Sequence, residues 1–229
     1  AGPVATTTEA FRIYHAQSAW TWEHMALTRA RVIHATSDAF RHAVESEINA
    51  IVTRPRDAEK LLRDVADMRQ RLAREKPASC LWSLKQLRGG MVDIEFIVQY
   101  LTLKHAAEHP EVIGPNTLNS LSRLADADVL DAGIAARLTA ALKLWHALQC
   151  MLSLTVDDDI TTERVAEFPK TLNNRLARIG GAADFAELEA AMHLQAAEIY
   201  GLFQELIEEP AGALPPRAEH EDDIPAPLI

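Results

Sequence analysis

The residues of this chain best suited to chemistry stand together in Leu84 to Lys104, LKQLRGGMVDIEFIVQYLTLK, where a basic run meets two glycines and two carboxylates. Gly89 and Gly90 can take positive φ or admit close backbone approach, and a chain turning there would present free amide N–H groups at the start of the next helix. Asp93 and Glu95 fall in the first turn of that helix, where the helix dipole favours negative charge. Two residues apart, they point in nearly opposite directions, so they cannot jointly clamp one metal ion and at most one of them reaches a site. Glu95 shares its face with Gln99 at the four-residue step. The plainer alternative is a loop followed by a well-capped core helix.

A second group is Glu23, Arg29 and Arg31. On a continuous helix, six- and eight-residue separations place Arg29 about 120° and Arg31 about 80° from Glu23, bracketing one side while the other is aromatic. An ordinary polar face gives the same pattern. The chain carries no P-loop, no Gly-x-Ser-x-Gly, no His-Glu-x-x-His and no Cys-x-x-Cys. His24, His146 and His193 sit within apolar stretches, as hydrogen-bonded structural histidines do. Trp20, Trp22, Trp82 and Trp145 read as core or interface anchors. Cys80 and Cys150 lack metal-like spacing and are expected to be free thiols. Asp157-Asp158-Asp159 lacks the alternating ligands and the glycine of an EF-hand loop and reads as a solvated helix end. Neither a catalytic residue nor a metal ligand is expected in this chain.

The elements that would position these residues read as helices. Thr6 and Glu9 fit a capping box, and apolar three- and four-residue steps carry a first helix to about His34, roughly 27 residues and about 40 Å. Ser37 or Asp38 caps a second, bearing Phe40, Val44, Ile48 and Val52 and ending before Pro55. Asp57 caps a third, with Leu61, Leu62, Val65, Met68 and Leu72 as its stripe and Arg63, Arg69, Arg71 and Arg74 around it. Residues 78–88 lack a helical period. The central helix, from about Val92 to Glu108, is apolar nearly all round and is expected to be buried by several neighbours. Asn116 and Asp131 cap two more; one over Pro169 to Ile179 is stopped by Gly180-Gly181, and Asp184 opens the last. From Pro210 the chain turns acidic and proline-rich and is expected to be disordered. The prediction is an all-α bundle of seven or eight helices with a long first helix, over residues 1–209, followed by a disordered tail, 210–229.

Of the 229 residues, the first 88 carry a formal charge of +4 and the remainder −14, for a net −10. That balance argues against the usual basic nucleic-acid binder. The asymmetry suits a nucleotide or an acidic partner at the basic end, and surface charge alone gives it too. No apolar run approaches the roughly 18 to 20 residues that span a bilayer. AGPVATTTEA has neither the basic start nor the apolar centre of a signal peptide. A cytoplasmic location with no membrane or nucleic-acid partner is expected.

WTWEHMALTRARVI (Trp20 to Ile33) and LRGGMVDIEFIVQYLTLKHA (Leu87 to Ala106) together closely resemble the C-terminal half of bacterial glutamine synthetase adenylyltransferase, a likeness running from about Gly2 to Ile207. In that family each half of a long chain has a nucleotidyltransferase domain followed by a helical domain. The spelling MVDIEFIVQYL is similar to the second half, the one associated with adenylylating a tyrosine of glutamine synthetase; the first half removes the group. The resemblance implies an upstream domain whose Gly-Ser pair and spaced aspartates hold magnesium and the nucleotide phosphates. ATP and magnesium are thus implied for the full-length enzyme and no cofactor for this segment. By itself it should be inactive, because metals and carboxylates must neutralise the charge that develops in nucleotidyl transfer.

The same resemblance makes Glu23, Arg29, Arg31, Arg88, Gly89, Gly90, Asp93, Glu95 and Gln99 candidates for a nucleotide or domain interface, with the first helix and the Arg88-Gly89-Gly90 turn facing the catalytic domain. Arg88→Ala or Glu95→Gln is then expected to lower adenylylation with little change in melting temperature. Implied partners are the upstream domain, glutamine synthetase and a PII-type signalling protein. The alternative is a non-catalytic helical module that docks glutamine synthetase or the PII-type regulator.

Overall fold

The computed structural model describes residues 5–156 and 159–215. Among them every regular element is helical and none is a strand, as the sequence predicts. α1 (Thr8–Gln17) is capped by Thr7, whose hydroxyl accepts from the Ala10 N–H at 3.1 Å. Glu9 pairs with Arg12 instead of reaching back, so the helix opens one residue later than the expected cap at Thr6.

The long first helix does not form. The chain breaks after α1 and starts again as α2 (Thr21–Leu27). Two contacts explain the break where no glycine or proline marks it. The Glu23 carboxylate accepts the Trp20 N–H at 2.8 Å, closing a new helix start. Thr21 Oγ1 then donates to Asp64 Oδ2 at 2.5 Å, drawing α2 onto another helix. Residues 28–37 are irregular, and Arg41 Nη1 anchors them by donating to the Val32 carbonyl at 3.0 Å.

α3 (Asp38–Val52) and α4 (Ala58–Glu75) open at Ser37 and Asp57, each accepting backbone N–H groups of its own first turn. α5 (Met91–His105) follows the irregular 76–90 segment, and a 3-10 turn, Pro110–Val112, leads to α6 (Thr117–Asp126) and α7 (Ala132–Thr155). Asn116 and Asp131 cap these two as expected. α8 (Thr162–Ala166), capped by Thr161, is an addition that no sequence signal announced. α9 (Lys170–Ile179) ends at Gly180-Gly181, where Gly181 takes φ +69°.

α10 (Phe185–Phe203) starts at Asp184 and runs into a π-helical turn, Gln204–Glu208, and then α11 (Glu209–Gly212). The expected start of the tail at Pro210 therefore falls inside a helical run. The wider π turn lies just before Pro210, where a proline ring would crowd the preceding turn of a regular α-helix. Leu214 still packs against the core and the Pro215 carbonyl accepts from Arg63. Residues 216–229, the rest of that acidic stretch, and Asp157 and Asp158 lie outside the described residues.

α5 is the axis of the molecule. It packs against α2, α4, α6, α7 and α10, and 11 of its 15 residues are buried, which accounts for its unbroken apolar spelling. Trp145 of α7 and Leu121 and Leu124 of α6 are fully buried beside it, and emptying a site such as Trp145 costs about 3–5 kcal/mol. Cys80 and Cys150 are free thiols.

Candidate functional site

Gly89 takes φ +78°, and a Cβ there would lie 1.8 Å from the backbone oxygen of Ala196 in α10. Gly90 caps α5, and its Cβ would lie 2.4 Å from the Leu84 oxygen. Both glycines are therefore demanded by geometry: one by left-handed backbone and close approach, the other by close approach alone. Four consecutive amide N–H groups expected to be free at this turn are taken. Gly89 donates to Asp93 Oδ2 at 2.5 Å, Gly90 to Leu87 O at 2.8 Å, Met91 to Leu84 O at 2.9 Å and Val92 to Lys85 O at 3.2 Å. An anion-binding nest at this turn is thus replaced by a closed backbone knot.

Asp93 ties the knot to the core. Its side chain is fully buried, and Oδ1 accepts from Arg69 Nε of α4 at 2.5 Å and from Arg88 Nη1 at 3.4 Å. Arg69 is itself fully buried; its Nη2 donates to the Gln86 carbonyl at 3.1 Å. Arg88 continues the alternation of charge, pairing through Nη2 with Glu208 in the π turn, and its guanidinium carbon lies 4.3 Å from the Tyr200 ring centroid and 5.0 Å from that of Phe203. Tyr200 also donates to Glu208 Oε2 at 3.2 Å. On the fourth side, Trp145 Nε1 of α7 donates to the Gly89 carbonyl at 3.2 Å. Breaking the buried Arg69–Asp93 pair strands the other charge, at about 3–5 kcal/mol, and Arg88 adds partly exposed contacts to it. Arg88 thus has a structural role, and Arg88→Ala is expected to lower stability, contrary to the expectation that it would spare the melting temperature.

Glu95 points the other way, as its two-residue offset from Asp93 requires. Its carboxylate is partly exposed and pairs with Arg29 Nη1 at 3.1 Å. This contact joins the two stretches that carried the family resemblance, one from the segment after α2 and one from α5. Gln99, one helical turn along from Glu95, is buried. Arg29 and Arg31 both lie in the irregular 28–37 segment, so the expected bracketing of Glu23 by two helical arginines is lost. Arg31 is exposed. Glu23 is engaged locally, accepting from Trp20 N–H and from Tyr14 Oη at 2.7 Å.

Sequence reasoning passed over Arg69, Glu208, Trp145 and Tyr200 as members of this arrangement. Arg69 left a trace, since it falls one four-residue step beyond Leu61 and Val65 on the apolar stripe of α4. Glu208 left none, because 120 residues separate it from Arg88. A polar groove of about 600 Å³ opens elsewhere, lined by Ser79, Ser83, Lys85, Gln149, Ser153 and Thr161 among others, and none of the nine candidates borders it.

Near the start of the chain, His24 Nε2 lies 3.2 Å from the His15 carbonyl, which also accepts from Arg54 Nη1 at 3.3 Å. Burial first, then Arg56, push the His24 imidazole down to about 4, and burial likewise lowers His15. Arg56 is itself lowered to about 10 by burial and by Arg54; its guanidinium donates to the Ile51, Val52 and Arg54 carbonyls at the end of α3. His24 is thus a hydrogen-bonded, half-buried histidine, in keeping with its apolar setting.

An all-helical domain knotted around a fully buried Arg–Asp pair is the class that the geometry defines. A family model described as GlnD PII-uridylyltransferase matches residues 58–207, and one described as glutamate-ammonia ligase adenylyltransferase matches residues 1–47. The chain belongs to the family of the first of these, and it is similar in sequence to the glutamine synthetase adenylyltransferases that its two motif stretches resemble. It is 44% identical over 207 residues to the bifunctional glutamine synthetase adenylyltransferase/adenylyl-removing enzyme of Rhodopseudomonas palustris (strain BisB5), covering 90% of this chain and 20% of that one. The protein of the same name from Bradyrhizobium sp. (strain BTAi1) is 44% identical over 209 residues, 91% of this chain and 21% of its own. That from Xanthobacter autotrophicus is 41% identical over 207 residues, 90% and 20%. The chain thus spans about a fifth of the length of the curated relatives it matches.

Proposed function

We propose that this chain is the helical companion of an adenylyltransferase module, helping it to modify glutamine synthetase in the control of nitrogen metabolism. The observation that carries the reading is the Arg29–Glu95 pair, which brings both motif stretches to one partly exposed place on the surface. In this reading the transfer chemistry, with its ATP and magnesium, belongs to a nucleotidyltransferase module ahead of residue 1. The helical chain is without activity by itself and works in the cytoplasm. Asp93 and Glu95 are each committed to arginines, Asp93 to Arg69 and Arg88 and Glu95 to Arg29, a role in holding and orienting.

The test uses a full-length chain that contains this segment. Glu95→Gln and Arg29→Ala are expected to lower adenylylation of glutamine synthetase by about tenfold, as a loss of about 1.4 kcal/mol in positioning would. The melting temperature should stay within about 2 °C, in keeping with a partly exposed pair. Unchanged transfer in both variants would remove the pair from any functional role.

A second reading, a non-catalytic module that docks glutamine synthetase or a PII-type regulator, is favoured by the exposed apolar side chains of α1 and α3. Size-exclusion chromatography of this chain with each partner separates the two. A stable complex formed by the isolated chain favours docking.

A further inference from the structure

α3 carries one apolar stripe at four-residue steps, Phe40, Val44, Ile48 and Val52, and the fold covers only one end of it. Val52 is completely buried, Ile48 and Val44 are half-buried, and Phe40 is 49% exposed. From Asp38 to Glu47 no residue of α3 is buried. Ile13 and Tyr14 of α1, which packs on α3, and Ile33 of the segment before it are also exposed. A stripe of this length is built to be covered along its whole face, because a single large exposed aromatic per helix is ordinary but a graded, continuous row is not.

Resting on the reading above, we propose that the first three turns of α3, with Phe40 at their head, are the docking face for the adenylyltransferase module that precedes this segment in the longer chain. The boundary between the two family matches identifies the occupant. The uncovered part of α3 lies within residues 1–47, matched by the model described as the adenylyltransferase. The covered helices α4 to α10 lie within 58–207, matched by the other model. Some four fifths of each relative lies outside the region that this chain matches, ample to supply the missing cover. The face is apolar with both signs of charge beside it, Arg41 and Glu45, so it suits a protein surface and not a polyanion.

The experiment places a photo-crosslinking residue, Phe40→benzoylphenylalanine, in the full-length chain, with Leu194→benzoylphenylalanine on the exposed side of α10 as control. Crosslinks from position 40 into sequence ahead of residue 1, absent at position 194, are expected. Amide exchange over residues 38–47 should also be at least about tenfold slower in the full-length chain than in the 229-residue chain. Crosslinks only to a second copy, crosslinks only to glutamine synthetase, or equal exchange in the two chains would each overturn the assignment. Adenylylation of glutamine synthetase by the unsubstituted full-length chain is measured separately. Its failure would remove the functional reading while crosslinks into the preceding module still marked the face.

Discussion

α3 and α5 are both 15-residue helices with apolar side chains at helical spacing, yet α3 buries only Ile51 and Val52 while α5 buries 11 residues. The contrast extends to the regions around them. Residues 5–47 hold four exposed large apolar side chains, Ile13, Tyr14, Ile33 and Phe40, and are held mostly by caps and single polar tethers. Residues 58–208 are fastened around α5 by a continuous apolar core and a chain of alternating charge whose inner pair, Arg69–Asp93, is fully buried. One part closes on itself and the other is shaped to be closed upon. The lesson is that an amphipathic stripe predicts a helix but leaves open whether the chain itself supplies the cover.

The largest effect that would sharpen this contrast is expected at the knot. Gly89→Ala forces a Cβ into the Ala196 backbone at positive φ, and it should cost more than about 4 kcal/mol or abolish a cooperative melt. A loss below 1 kcal/mol in urea unfolding would mean that α10 does not press on the turn. Next, Asp93→Ala strands the buried Arg69 and is expected to cost about 3–5 kcal/mol by the same measurement. Arg88→Ala, at a partly exposed site with two ion pairs and a stacked ring, should cost about 1–3 kcal/mol.

The pH response belongs to the looser region. The His24 imidazole has its pKa lowered by burial to about 4, so over the interval from about 6.5 down to 4 the unfolded chain binds the proton that the folded chain refuses. Arg56 and Arg54 face it and disfavour its charge further, and the hydrogen bond to the His15 carbonyl offsets this only in part. Stability is therefore fully present above pH 6.5 and falls as pH drops toward 4, and His24→Gln should flatten that part of the curve. Amide exchange in α1 and α2 that quickens toward pH 4 before α5 does would support two tiers of stability. The smallest effect is expected for Arg29→Ala, within about 0.5 kcal/mol, because its pair with Glu95 is half exposed. A larger loss would make that pair part of the framework and erase the distinction drawn between it and Asp93.

Ser37, Asp57, Asn116, Asp131 and Asp184 announced their helices because a capping side chain acts on amides two or three residues away, an interaction that local sequence contains. The opposite aims of Asp93 and Glu95 were legible for the same reason, since helical geometry alone sets them. The break between α1 and α2 was not legible. It depends on Thr21 meeting Asp64 as well as on the local Glu23 cap, and a glutamate at that spacing also fits a continued helix. Nor could spacing show that Arg69 and Glu208 would enclose the glycine turn, or that Asp93 and the Leu84, Lys85 and Leu87 carbonyls would take its amides.

The sequence by itself determined that the chain is helical, where most helices start, and which segment lies at the centre, because caps and periodicity act over one or two turns. Only the tertiary structure decided that Arg88, Gly89, Gly90 and Asp93 are framework while Arg29 and Glu95 meet at the surface. Burial and charge pairing are set by groups far apart in the chain, and their balance of desolvation against attraction exists only once the helices are packed.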